Sequence, residues 1–168
     1  MINLYLDIDG TLIQDACINP TTGLKTIASG ALELLQFSVN HFNCFWLSYY
    51  ARGKKPNNIS RVFRDALDVQ VLPNEWTEVF GMIKNAKWTT NKTQGIDLNI
   101  PFFWIDDNVS DADQDFLKNN GVFATVINVN LDRNPNDLHR VLQILKVSIS
   151  GKKQSNLSSN DKYIWQNN

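Results

Sequence analysis

Short apolar runs take turns with amphipathic helical patterns along these 168 residues, and that alternation limits the fold more than any other feature. Strand signals rich in apolar and aromatic residues occur at Asn3–Ile8, Asn43–Ser48, Val69–Leu72, Phe102–Asp106 and Val122–Val129. Helical periodicity covers about Ser29–Asn40, Asn57–Leu67, Glu75–Lys84, Ser110–Asn119 and Asn136–Val147. The strand segments are nearly continuous in apolar residues, the pattern of strands covered on both faces. The expectation is a three-layer, Rossmann-like α/β domain with a mostly parallel five-stranded sheet and helices on both faces. In such sheets ligands sit beyond the carboxyl ends of the strands, where strand order reverses, so chemistry-bearing residues should follow strands.

They do. In YLDIDGTL, Tyr5 to Leu12, an apolar strand runs into two aspartates one residue apart. Side chains alternate along a strand, so Asp7 and Asp9 leave it in the same direction and can converge on one small group. Asp and Gly are also ordinary turn residues, which is the plainer reading. A calcium loop fails on spacing, because Gly10 follows Asp9 at once and leaves no place for a third oxygen ligand before it. The second strand ends in FWLS, which puts Ser48 at a strand terminus, a common place for a cap or turn residue. The fourth ends in WIDDN, with Asp106 and Asp107 adjacent and Asp111 and Asp113 close behind. Acids around Ser110 suit the positive end of a helix that Ser110 caps, which accounts for Asp113 but less well for the adjacent pair. Two carboxylates about 4 Å apart repel by roughly 4 kcal/mol at an effective dielectric near 20, so converging acids call for a divalent cation.

Asp-x-Asp-Gly-Thr-Leu after an apolar strand resembles the first motif of the haloacid dehalogenase-like (HAD) superfamily, whose members are mostly magnesium-dependent phosphatases. Ser48 matches the second motif in type and order, and Asp106 with Asp107 resembles the fourth. The third is a lysine upstream of the fourth strand, where Lys84, Lys87 and Lys92 all lie. Lys92 is preferred and Lys87 is the alternative, because WTTNKTQGIDLNIPFFWIDDN is similar to small bacterial HAD proteins reading Lys-Thr-x-x-Ile-Asp, a short gap, then Phe-x-Trp-Ile-Asp-Asp. WLSYYARG is likewise similar to their Trp-Leu-Thr segment.

The resemblance implies a HAD fold and hydrolysis of a phosphomonoester through an aspartyl-phosphate. Asp7 would be the nucleophile and Asp9 the general acid, then base, with Lys92 and Ser48 stabilising the transferred group. Gly10, Thr11, Ser48 and Tyr49 would line the phosphoryl pocket. Mg²⁺ would be held by Asp7, the backbone carbonyl of Asp9, and Asp106 or Asp107, with Asp106 favoured as direct ligand and Asp111 nearby. Family dehalogenases lack an acid at the position of Asp9, so phosphate-ester chemistry is favoured over carbon–halogen cleavage.

Insertions bear on the substrate. Residues 13–28 are long enough only for a flap and residues 73–90 hold little more than one helix, so no large cap domain is expected. Capless relatives often act on large substrates such as phosphoproteins or nucleic-acid ends, or borrow a lid from another chain. The stretch ARGKKPNNISRVFR carries five basic residues and no acid, and reads either as a guide for an anionic substrate or as a solvated loop and helix face. Trp46, Trp76, Trp88 and Trp104 read as core. Two alternatives stand beside the phosphatase: a HAD-fold phosphate-binding or regulatory protein with little turnover, and a nucleic-acid end-processing phosphatase.

A net charge of −1 gives no global pull toward nucleic acid or membrane. No apolar run approaches a membrane span, the first strand leaves no room for a signal peptide, and Cys17 and Cys44 lack metal or redox spacing. A cytoplasmic protein is expected. It divides into a domain over 1–150 and, where composition turns to Lys, Ser and Asn at Gly151, a polar tail over 151–168.

Overall fold

The computed structural model describes residues 1–18, 25–52 and 57–155. Strand β1 (Asn3–Leu6) is followed by an antiparallel hairpin, β2 (Ile13–Ile18) with β3 (Lys25–Ile27), and by helix α1 (Ala31–His41). Next come β4 (Asn43–Trp46), a 3-10 turn at Tyr49–Ala51, and helices α2 (Asn57–Leu67) and α3 (Asn74–Met82). The chain continues through β5 (Lys84–Asn85), a 3-10 turn at Lys92–Gly95, β6 (Phe102–Asp106) and α4 (Asp111–Asn119). It ends with β7 (Val126–Asn128) and α5 (Asp137–Ser155).

Five strands form one sheet in the order β5-β4-β1-β6-β7, and every pairing is parallel. β1 lies at its centre, with Asn3 in register with Asn43 on one side and Phe102 on the other. The chain builds outward from β1 to β4 and β5, then crosses back to β6 and β7. The order therefore reverses between β1 and β6, the switch point where such sheets open a crevice.

Strand alternation divides the core. Leu4 and Leu6 pack with Leu34 and Leu35 of α1, Phe63 of α2, Trp76 of α3, and Leu138, Val141 and Leu142 of α5. Tyr5 points the other way and joins Phe102, Trp104, Ile96 and Leu117 of α4. Each face of β1 thus has its own apolar cluster, which is why Leu4-Tyr5-Leu6 reads as unbroken hydrophobicity. Among the described residues no helix is long and apolar enough to cross a membrane.

Several expectations need correction. Val69–Leu72 is a loop: α2 ends in a left-handed residue, Asp68 (φ 55°), with the Val69 N–H on the Arg64 carbonyl, and Val71 is left 78% exposed. The strand beside β4 is instead β5, only two residues long and both polar, so no apolar run announces it. Helix α3 consequently stops at Met82 rather than Lys84. Residues 123–125 are a 3-10 turn, which shortens the last strand to Val126–Asn128. The flap carries two strands that were not expected. The backbone of α5 continues past Gly151 to Ser155, and the remainder of the expected tail, 156–168, lies outside the described residues. Trp46, Trp76 and Trp104 are core, whereas Trp88 is half-buried with the Arg52 guanidinium 4.9 Å from its ring centroid.

Candidate active site

β1 and β6 stop side by side, and their next residues bring acids together across the switch point. Carboxylate oxygens of Asp7, Asp106 and Asp107 lie within 4.8 Å of one another, close enough to share one ion. Asp7 and Asp106 are 5% and 0% exposed. Lys92 is their counter-charge: its Nζ stands 2.8 Å from Asp7 Oδ1 and 2.6 Å from Asp106 Oδ2. Lys87 and Lys84 are exposed, and Lys84 Nζ lies over the Phe45 ring instead.

Three acids against one lysine leave the cluster net negative. Burial and the neighbouring Asp106 push the Asp7 carboxyl up to about 7 despite Lys92. Burial, and again Asp106, also raise Asp107. Lys92 is lifted above its ordinary value: burial works against its charged form, but the two aspartates outweigh it. A divalent cation among these oxygens supplies the missing positive charge, so the donor set and its charge fit such an ion.

The two adjacent aspartates differ in how many bonds they already hold. Asp106 Oδ2 accepts from Lys92 Nζ and, at 3.0 Å, from Trp104 Nε1, while Oδ1 accepts from the Asn108 N–H at 2.9 Å. Trp104 precedes Asp106 by two, so strand alternation puts both on one face. Asp107 is held more lightly, by the Thr11 hydroxyl, 3.4 Å from Oδ1, and by its own backbone N–H. Its carboxylate fills the space a side chain at position 10 would need: a Cβ on Gly10 would meet Asp107 Oδ2 at 2.3 Å. Gly10 also has φ +69°, a conformation that L side chains rarely adopt. The backbone N–H of Gly10 donates to Ile13 and that of Thr11 to Ile8, so this turn uses both donors itself. Gly10 and Thr11 thus support Asp107.

Asp9 stands apart from the acidic trio. Its Oδ1 pairs with Lys25 Nζ of β3 at 2.9 Å and accepts from the Tyr50 hydroxyl at 3.3 Å. Among the described residues no backbone amide donates to the Asp9 carbonyl. Ser48 follows Leu47, the residue after β4, whose N–H bonds the Leu6 carbonyl, so it emerges beside the 7–9 segment. It is 1% exposed, and its hydroxyl makes no capping bond to the turn it starts. Tyr49 begins that turn with its side chain 68% exposed. Asp111 is exposed at the start of α4, outside the cluster.

Asp113 is the residue whose task sequence reasoning missed. It is 3% exposed, and its Oδ1 accepts from both the N–H and the hydroxyl of Thr93, at 2.9 and 2.7 Å. Its Oδ2 accepts from the Ser110 hydroxyl at 2.7 Å, and Ser110 in turn caps α4 through the Asp113 N–H. The acid read as a helix-end charge therefore fastens the 3-10 turn that carries Lys92. The Ser-x-x-Asp spacing marked the cap, but nothing local pointed to Thr93.

Compared with family models, curated proteins and solved structures, the chain matches none.

Proposed function

We propose that the chain is a Mg²⁺-dependent phosphomonoester hydrolase of the HAD type, with a β-hairpin flap in place of a cap domain. One observation carries the reading: Lys92 bridges Asp7 and Asp106 at the sheet's switch point, with Asp107 in reach of the same ion. The Asp7 and Asp107 side chains and the Asp9 carbonyl would hold Mg²⁺, whereas Asp106, already engaged by Lys92, Trp104 and Asn108, would orient the lysine. This reverses the preference for Asp106 as the direct ligand. When bound, the ion supplies positive charge to the carboxylates and the phosphoryl oxygens.

An Asp7 carboxylate oxygen attacks phosphorus, and the bond to the leaving oxygen breaks while Asp9 gives that oxygen its proton. The alcohol departs and an aspartyl-phosphate remains on Asp7. Asp9, now ionised, takes a proton from water as the water oxygen attacks phosphorus, which releases inorganic phosphate and restores both carboxyl groups. Lys92 and the Ser48 hydroxyl oppose the negative charge spread over the phosphoryl oxygens. Asp9 is paired with Lys25 before substrate arrives, so turnover requires that contact to loosen.

The test is p-nitrophenyl phosphate hydrolysis with and without Mg²⁺. Metal-dependent release of p-nitrophenol, lost in Asp7→Asn, supports the reading. Equal turnover in that variant, or none from the wild type on a broad panel of phosphate esters, overturns it.

A further inference from the structure

If Asp9 hands its proton to the departing oxygen, the group attached to that oxygen has to stand beside Asp9. Beside Lys25, the neighbour there is Tyr50, whose hydroxyl is 3.3 Å from Asp9 Oδ1. Tyr50 also lines, with Tyr49, Arg52 and Asn58, a recess of about 390 Å³. Local structure explains the gathering: Tyr49–Ala51 turn directly after Ser48, and Asn58 lies in the first turn of α2.

The recess has a definite chemistry. Tyr49 presents a largely exposed ring, a flat apolar face with no core to pack against. The Arg52 guanidinium lies 4.9 Å from the Trp88 ring centroid and 6.0 Å from that of Tyr49. Stacking of this kind holds the cation at the recess without neutralising it. No carboxylate pairs with Arg52 among the described residues. Asn58 is exposed, and its carboxamide offers both a donor and an acceptor.

A flat face, a fixed positive charge and an amide together select a leaving group that is planar, anionic and edged with heteroatoms. A sugar lacks the flat face, and a tyrosyl ring lacks the heteroatom edge. We propose that this recess receives a nucleotide unit: a nucleoside bearing the scissile phosphomonoester and a second phosphate, its base on Tyr49, the second phosphate at Arg52 and the base edge at Asn58. The inference rests on the hydrolase reading and names the substrate class of that same site. The second phosphate belongs either to a nucleoside bisphosphate or to the phosphodiester at the end of a strand.

The experiment compares kcat/KM with Mg²⁺ for a 5′-phosphorylated dinucleotide, a nucleoside 3′,5′-bisphosphate, a 5′-mononucleotide and glycerol phosphate. Both nucleotides that carry a second phosphate are expected to exceed the mononucleotide, and the mononucleotide to exceed glycerol phosphate. Tyr49→Ala should lower the nucleotide values at least about five-fold more than the glycerol phosphate value, the low end for loss of one base–aromatic stack. Tyr49→Phe should retain them, which separates stacking from a damaged fold. Arg52→Gln should narrow the gap between doubly and singly phosphorylated nucleotides. A higher value for the dinucleotide assigns strand ends, and a higher value for the bisphosphate assigns free nucleotides. Turnover of all four esters at similar kcat/KM, reduced alike by Tyr49→Ala, overturns this inference and leaves the hydrolase standing. Absence of turnover on every ester removes both.

Discussion

Gly10→Ala tests how the acidic cluster is held. A methyl group at position 10 would lie 2.3 Å from Asp107 Oδ2 and 2.5 Å from its Cγ. An ordinary contact begins near 3.4 Å, so the carboxylate has to retreat by about 1 Å or rotate away. Since the obstacle is the end of a side chain, the clash itself costs little. Holding alanine at φ +69° adds about 1–2 kcal/mol of backbone strain. The larger effect falls on the site, because a displacement near 1 Å in catalytic geometry is worth about 100-fold in rate. Urea denaturation should therefore show a stability loss of about 1–2 kcal/mol, while calorimetry shows weakened Mg²⁺ binding and Mg²⁺-dependent turnover falls about 100-fold. In an Asp107→Ala background the same substitution should retain its stability cost but no longer change Mg²⁺ affinity. Unaltered Mg²⁺ binding in Gly10→Ala, or an equal effect in both backgrounds, would refute the packing of Asp107 against Gly10.

Lys92→Met leaves two buried carboxylates without their cation, and the metal-free protein should lose about 3–5 kcal/mol by denaturant titration. Asp113→Ala strands the Thr93 N–H and hydroxyl, costing about 1–3 kcal/mol. Steady-state kinetics on that variant should show kcat falling more than KM rises, with Asp113→Asn a partial rescue because its amide oxygen still accepts. Burial raises Asp7 in the fold above its unfolded value of 3.8, so the metal-free protein holds a proton that the unfolded chain releases. Its contribution to stability should be full below 3.8, fall as pH rises to about 7 and stay flat beyond, a trend absent in Asp7→Asn. Over the same range Mg²⁺ affinity should climb with pH, and calorimetry in buffers of different ionisation enthalpy should register proton release on binding.

What the sequence made legible follows a physical line. Strands β1 and β6 are buried on both faces, and β4 is buried at Cys44 and Trp46 with Phe45 half-buried, so their hydrophobicity shows in any single stretch, and the residues after them are placed by the strand that delivers them. Asp7, Ser48, Asp106 and Asp107 were accessible for that reason. β5 was not, because two exposed polar residues at a sheet edge carry no hydrophobic signature, while the apolar Val69 and Val71 mimicked one and face solvent. Lys92 came from similarity alone, since a lysine in a 3-10 turn has no periodicity to read. The bonds from Asp113 to Thr93 and from Lys25 to Asp9 join residues far apart in sequence, and only the folded chain reveals them.

The central position of β1 has a consequence for biogenesis. Its partners are residues 43–46 and 102–105, so β1 cannot gain its second neighbour until β6 has been made, about a hundred residues later. Until β6 is synthesised, Asp7 lacks Asp106, the second carboxylate that Lys92 bridges, and one edge of β1 lacks its partner strand. The acidic trio and the crevice at the switch point thereby form in one step, when β6 pairs with β1.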